Sequence, residues 1–144
     1  AVGSYHYKSN CIIVDLGTAT TFDVIIDGVY KGGVIAPGIK LSLETLTKKA
    51  EQIHPISIKK IKNVIGKNTK SALRSGFFWG YAGLINNILH LIKKESRCNF
   101  KIILTGGFCY LFKNSLYCKV IIDNDITIKG LVKILKIKRG LLLL

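Results

Sequence analysis

Val14-Asp15-Leu16-Gly17-Thr18-Ala19-Thr20-Thr21-Phe22-Asp23 decides how this chain reads. The stretch continues the apolar run Cys11-Ile12-Ile13-Val14, whose length and branching suit a buried strand, and it sets a carboxylate, a glycine and three hydroxyls at that strand's end. This set of groups suits a phosphate. Gly17 lets the backbone approach where a Cβ would clash, and the hydroxyls of Thr18, Thr20 and Thr21 can donate to phosphate oxygens together with nearby N–H groups. Asp15 supplies charge to hold a cation beside them. The lysine and the long glycine loop of a P-loop are missing, which points to a second class of nucleotide fold. Taken alone, the same residues also read as a plain strand and tight turn rich in β-branched side chains.

Outward from this stretch, the first half reads as a three-stranded antiparallel meander. Ile12 to Asp15 is followed by Thr21 to Ile26, the Asp27-Gly28 hairpin signal, and Val29 to Val34, with Gly32-Gly33 closing the third strand. After the Pro37-Gly38 turn, Ser42 is placed to cap a helix running to about Gln52, with Leu43, Leu46 and Ala50 on one face and His54-Pro55 stopping it. The lysine-studded segment to Lys62 reads as a surface loop with an edge strand. Asn68 or Thr69 caps the longest helix, which carries Ala72, Gly76, Trp79, Gly80, Gly83, Leu84, Ile88 and Leu91 at helical spacing. Its small residues either meet the chain's own sheet or admit a second helix. Phe100 to Leu104 is a buried strand that breaks at Thr105-Gly106-Gly107, a helix follows to about Lys113, Val120 to Asp123 is another strand, and Ile126 to Ile137 is an amphipathic helix.

Composition bounds the class. The 144 residues fit a single domain, and with 49% hydrophobic residues a packed core is assured. No apolar run reaches the length of a membrane span, because Phe77 to Ile92 is interrupted by Asn86, Asn87 and His90, and Leu141 to Leu144 is far too short. Nothing near Ala1 resembles a secretory signal, so the cytoplasm is the expected location. Met is absent even from position 1, which leads us to expect a processed product or a piece of a longer chain. Cys11, Cys98, Cys109 and Cys118 form no C-x-x-C pair and His6, His54 and His90 are scattered, so reduced thiols and no zinc site are expected. The net charge of +14 raises nucleic acid as a partner, but the lysines fall in short clusters without interleaved aromatics, and only Arg74, Arg97 and Arg139 are arginines. A solvated lysine-rich exterior explains the charge better.

Three more motifs now line up with the first: Gly32-Gly33-Val34-Ile35-Ala36-Pro37-Gly38-Ile39, Gly66-Lys67-Asn68-Thr69 and Thr105-Gly106-Gly107. In that order and at those intervals the set closely resembles the type III pantothenate kinases, over about Cys11 to Leu135. The resemblance implies an α/β, ribonuclease-H-like lobe of the actin, sugar kinase and chaperone ATPase superfamily. A mixed sheet with the antiparallel meander at its N-terminal side and flanking helices is expected. It further implies ATP with Mg2+, pantothenate as substrate, a monovalent cation (K+ or NH4+) and a homodimer formed through this lobe.

Residue by residue, Asp15 matches the family's monovalent-cation ligand and Thr18 a contact of the ATP phosphates, with Gly17 and Thr20 beside it. Thr105, Gly106 and Gly107 match the nucleotide-side glycine motif, whose other reading is a simple strand-to-helix turn. Thr69 matches a substrate-contacting threonine, and a threonine there also reads as a helix cap. The Gly32 to Gly38 segment either lines the pantothenate pocket or only shapes a tight connection, the structural role being favoured.

Two departures from the family pattern matter. The N-terminal lobe with its D-x-G-N-T phosphate loop, and the G-x-D-R motif that supplies the general-base aspartate, do not occur in these residues, so no catalytic base is assigned and one is expected upstream of Ala1. Lys129 stands where the family usually has glutamate. Asp23, in a strand, and Asp27, in a hairpin turn, are not assigned to catalysis. The expected function is therefore that of the C-terminal part of a pantothenate kinase, inactive alone. A non-catalytic regulatory or binding module of the same fold is the alternative.

Overall fold

The computed structural model describes residues 1–7, 9–50 and 56–140. Five strands form one mixed sheet in the order β3-β2-β1-β4-β5, with β1 at Cys11–Leu16, β2 at Ala19–Ile26, β3 at Val29–Pro37, β4 at Lys101–Thr105 and β5 at Val120–Ile122. β1 to β3 are the antiparallel meander, and β4 and β5 run parallel to β1. This is the expected ribonuclease-H-like arrangement.

Side-chain alternation explains why β1 reads as an unbroken apolar run. Its even positions Ile12, Val14 and Leu16 face one layer with Phe22, Ile102 and Leu104, while Cys11 and Ile13 face the other with Ile25 and Ile103. The first layer is covered by α2, Thr69–Ser96, through Phe78, Ala82, Ile85 and Leu89, and by α3, Cys109–Phe112, through Cys109 and Phe112. Burying each of the larger side chains contributes about 1.5–3 kcal/mol. The second layer is α4, Ile126–Lys138, whose Ile126 joins Ile13 and Ile103, together with a short 3-10 turn at Val2–Tyr7.

Several boundaries differ from the sequence reading. β3 does not end at Gly32-Gly33 but continues to Pro37, because Gly33 stays paired opposite Asp23 and an irregularity between Val24 and Ile25 absorbs the offset. The first helix, α1, runs Ile39–Lys49 with Gly38 at its N-cap position. Ser42 lies inside it, accepting a 2.7 Å hydrogen bond from the Tyr81 hydroxyl instead of capping. The expected end near Gln52 and the His54-Pro55 stop lie outside the described residues. No strand forms over 56–62. Asn68, not Thr69, caps α2: its side chain accepts from the Ser71 amide at 2.9 Å, and its own amide donates to Ser71 Oγ at 3.1 Å. The helix after Gly107 ends at Phe112, close to the expected bound near Lys113, and gives way to a 3-10 turn at Lys113–Ser115.

Gly76, Gly80 and Gly83 point away from the sheet. A Cβ on any of them would meet nothing within 4 Å, whereas the buried side of α2 is Ser75, Phe78, Ala82, Ile85 and Leu89. Of the two readings of the small-residue stripe, packing on the chain's own sheet is ruled out by this orientation.

Candidate functional site

β1 and β4 lie side by side in parallel, with Asp15 in register with Thr105, so both strands deliver their carboxyl ends to one rim of the sheet. Ligands of α/β sheets bind in such a crevice, where chain reversals leave backbone groups unpaired. The odd-numbered face carries the chemistry. Asp15 on β1, Asp23 on β2 and Thr105 on β4 line a cavity of about 310 Å³ that α4 closes with Thr127 and Gly130. A larger cavity of about 680 Å³ lies on the same layer near the Asp27-Gly28 hairpin and is lined by none of the site residues expected from the sequence.

Two glycines keep the Asp15 carboxylate open. A Cβ on Gly17 would stand 3.3 Å from Asp15 Oδ1. One on Gly106 would stand 2.5 Å from that oxygen and 2.7 Å from the Leu16 backbone, and Gly106 adopts φ +89°, a conformation other residues rarely take. The Gly17 amide donates to the Ala19 carbonyl at 3.1 Å, fixing the turn that follows Asp15. Gly38 packs directly on that turn, since a Cβ there would fall into the Thr18 carbonyl. Its close approach gives the end of the Gly32 to Gly38 segment a structural explanation.

Electrostatics mark the same place. Burial, and then the neighbouring Asp23 charge, pushes the Asp15 carboxyl above the usual carboxylate range. Burial followed by Asp23 likewise pushes the Tyr30 hydroxyl up, placing that phenol as a neutral neighbour of Asp23. Among the described residues, no lysine or arginine side chain lines the cavity. No cluster of three or more His, Cys, Asp or Glu side chains forms among the described residues. A cation at Asp15 would therefore complete its shell from hydroxyl, backbone, water or ligand oxygens, which is the donor chemistry hard cations prefer.

The remaining expected site residues are dispersed. Thr18 is exposed at the β1–β2 turn, where its hydroxyl is free to meet a ligand, and Gly107 is exposed with open space beside it. Thr20 is fully buried on the opposite face of the sheet, and its hydroxyl has no hydrogen-bond partner among the described residues. Thr69 opens α2 and is exposed on the far layer, away from the cavity lining.

Sequence reasoning missed two features. Asp23 reads from the sequence as a strand residue without a role, although its pairing opposite Ile13 puts its carboxylate on the same face as that of Asp15. Asp123, which is buried, receives Lys129 Nζ at 2.7 and 2.8 Å and the Tyr7 hydroxyl at 3.0 Å, tying β5, α4 and the N-terminal turn together. Lys129 thus has a structural partner.

A mixed sheet in this order, with a carboxylate and glycine turns at the shared rim of its parallel strands, defines an α/β, ribonuclease-H-like lobe. Solved structures of that fold align with it. A conserved Baf family protein from Campylobacter jejuni, described as a transcriptional activator, superposes with a TM-score of 0.66 at 24% identity, covering 96% of this chain and 63% of that one. MreB 5 of Spiroplasma citri bound to AMPPNP gives 0.52 at 15% identity, covering 93% and 55%. The chain belongs to the type III pantothenate kinase family, whose sequence profile matches residues 1–91. A type III pantothenate kinase of Pelagibacter ubique (strain HTCC1062) is 62% identical over 133 residues, covering 92% of this chain and 54% of the relative. The chain spans about half the length of the curated relatives it matches. Among the described residues, no helix is long and apolar enough to cross a membrane.

Proposed function

We propose that this chain is the C-terminal, nucleotide-side lobe of a cytoplasmic enzyme that transfers the ATP γ-phosphoryl group to pantothenate. The observation that carries this reading is the rim where Asp15 and Thr105 stand in register, with Gly17 and Gly106 leaving the carboxylate uncovered, in a member of a family of pantothenate kinases. Phosphoryl transfer asks little covalent chemistry of a protein and depends on positioning and on neutralising charge. Asp15 holds a monovalent cation near the phosphates, and the Thr18 hydroxyl, exposed at the turn, donates to them. The Thr105-Gly106-Gly107 turn receives the nucleoside, for which the bare backbone leaves room. Thr69 contacts pantothenate, and Mg2+ travels with ATP. The buried Thr20 hydroxyl is the least well placed of these groups.

The general base is supplied from outside these residues, since neither Asp15, with its cation role, nor Asp23 is assigned to accept the pantothenate proton. Phosphopantothenate formation should therefore be undetectable for the purified chain. It should appear when the N-terminal half of the Pelagibacter relative is fused ahead of Ala1. Robust turnover by the chain alone would show that its own residues hold the base, and a folded but inactive fusion that fails to bind ATP would remove the kinase reading.

A further inference from the structure

Asp15 and Asp23 lie on neighbouring antiparallel strands, project from the same face and line the same cavity of about 310 Å³. Among the described residues, neither forms an ion pair and no lysine or arginine side chain lines the cavity to compensate them. Two carboxylates held this way repel each other. A cation in the cavity that both line relieves that repulsion. A third group points to the cation. Thr105 is only 5% exposed, and what remains open of it faces this cavity, yet its hydroxyl forms no hydrogen bond with any described residue. Open to the cavity and claimed by no described residue, the Thr105 oxygen is available to a ligand there.

We propose that Asp23 is a second ligand of the cation assigned to Asp15, with the Thr105 hydroxyl as the third oxygen aimed into the same cavity. Two carboxylates and a hydroxyl, with water filling the rest of the shell, are a donor set for a hard cation. This inference rests on the cation role of Asp15, and the test separates the two.

The test is direct cation binding by the purified chain, read without turnover. Melting temperatures in potassium or ammonium chloride are compared with choline chloride at equal ionic strength, and Mn2+ titrations followed by electron paramagnetic resonance report a divalent site. The wild-type chain should respond to one of these, potassium or ammonium marking a monovalent site and bound Mn2+ a divalent one. Asp23→Asn should weaken that response about tenfold or more. Asp27→Asn, at the far hairpin, should leave it unchanged. If Asp23→Asn folds poorly in choline chloride, Thr105→Val carries the test and should weaken the same response. Full binding by a folded Asp23→Asn, with loss in Asp15→Asn, would leave Asp15 as sole carboxylate ligand and overturn this inference alone. Absence of any response in the wild type would overturn both.

Discussion

Gly106 lies against Asp15 so closely that a single added carbon would stand 2.5 Å from the carboxylate oxygen Oδ1. The backbone at Gly106, with φ +89°, compounds the conflict, because an L side chain is strained there even before the contact is made. Gly106→Ala is expected to destabilise the chain by about 2–3 kcal/mol, combining the left-handed strain with displacement of Asp15 or Leu16. Gly107→Ala, where a Cβ meets nothing within 4 Å, should cost little. Urea denaturation of the two variants measures the difference. Equal stabilities would mean that the β4 turn relaxes freely and does not hold Asp15 in place.

The contrast between these adjacent glycines shows where the sequence was legible. Alternation and turn signals located the meander, because β1 and β2 meet through a tight turn whose Gly17 and threonines are local features. What periodicity could not supply was the face on which each threonine falls. Thr18, Thr20 and Thr21 look alike in the sequence, but with a period of two Thr20 turns inward beneath α2 while Asp15 and Asp23 share the other side. The Ser42 cap fails for a similar reason, whereas Asn68 does cap α2. Ser42 has the chemistry of a cap, yet the contact with Tyr81, 39 residues away, claims its hydroxyl and leaves Gly38 to start α1. The Asp123 cluster joins residues 116 apart in the chain, a separation at which no local pattern exists.

Thr20 gives a test of role against burial. Its hydroxyl is fully buried without a partner among the described residues, so replacing it with the near-isosteric Val removes an unsatisfied polar group and should leave stability unchanged or raise it by about 1 kcal/mol. If Thr20 instead serves the phosphates, Thr20→Val in an active fusion would lower turnover while stability holds. Chemical denaturation and phosphopantothenate formation, measured on the same protein, separate the two outcomes.

Asp123 predicts how stability depends on pH. Burial alone would raise its pKa, but hydrogen bonds from Lys129 and Tyr7 outweigh that and hold the carboxyl below the usual range. Stability from Asp123 is therefore fully present above its unfolded value of about 3.9 and is lost as the pH falls through the lower folded value. Tyr7 behaves oppositely. Burial, then the hydrogen bond to Asp123, pushes its hydroxyl up to about 12 from 10.0, so its contribution persists below pH 10 and disappears as the pH rises towards 12. Asp123→Asn should flatten the acid limb, and Tyr7→Phe the alkaline one. Because Lys129 is half exposed, each loss near neutrality should be about 1–2 kcal/mol, below that of a fully buried pair. Melting curves from pH 2 to 12 check both limbs, and an unchanged acid limb in Asp123→Asn would show that other carboxylates govern acid unfolding.

The outward glycines of α2 make self-association testable without damaging the fold. Gly76, Gly80 and Gly83 lie opposite the buried stripe, with Phe77, Trp79 and Tyr81 partly buried beside them, so a helix from a second copy could approach closely and cover aromatic area. Since a Cβ at Gly80 meets nothing within 4 Å among the described residues, Gly80→Leu adds a side chain into open space and replaces a poor helix former with a good one. The monomer should become more stable by up to about 1 kcal/mol, while a dimer built on this face should weaken because the added side chain keeps the helices apart. Sedimentation velocity of the wild type and Gly80→Leu over a range of concentrations, with thermal melts in parallel, reads both effects. A dimer that survives Gly80→Leu with the fold intact would place the interface elsewhere on the lobe.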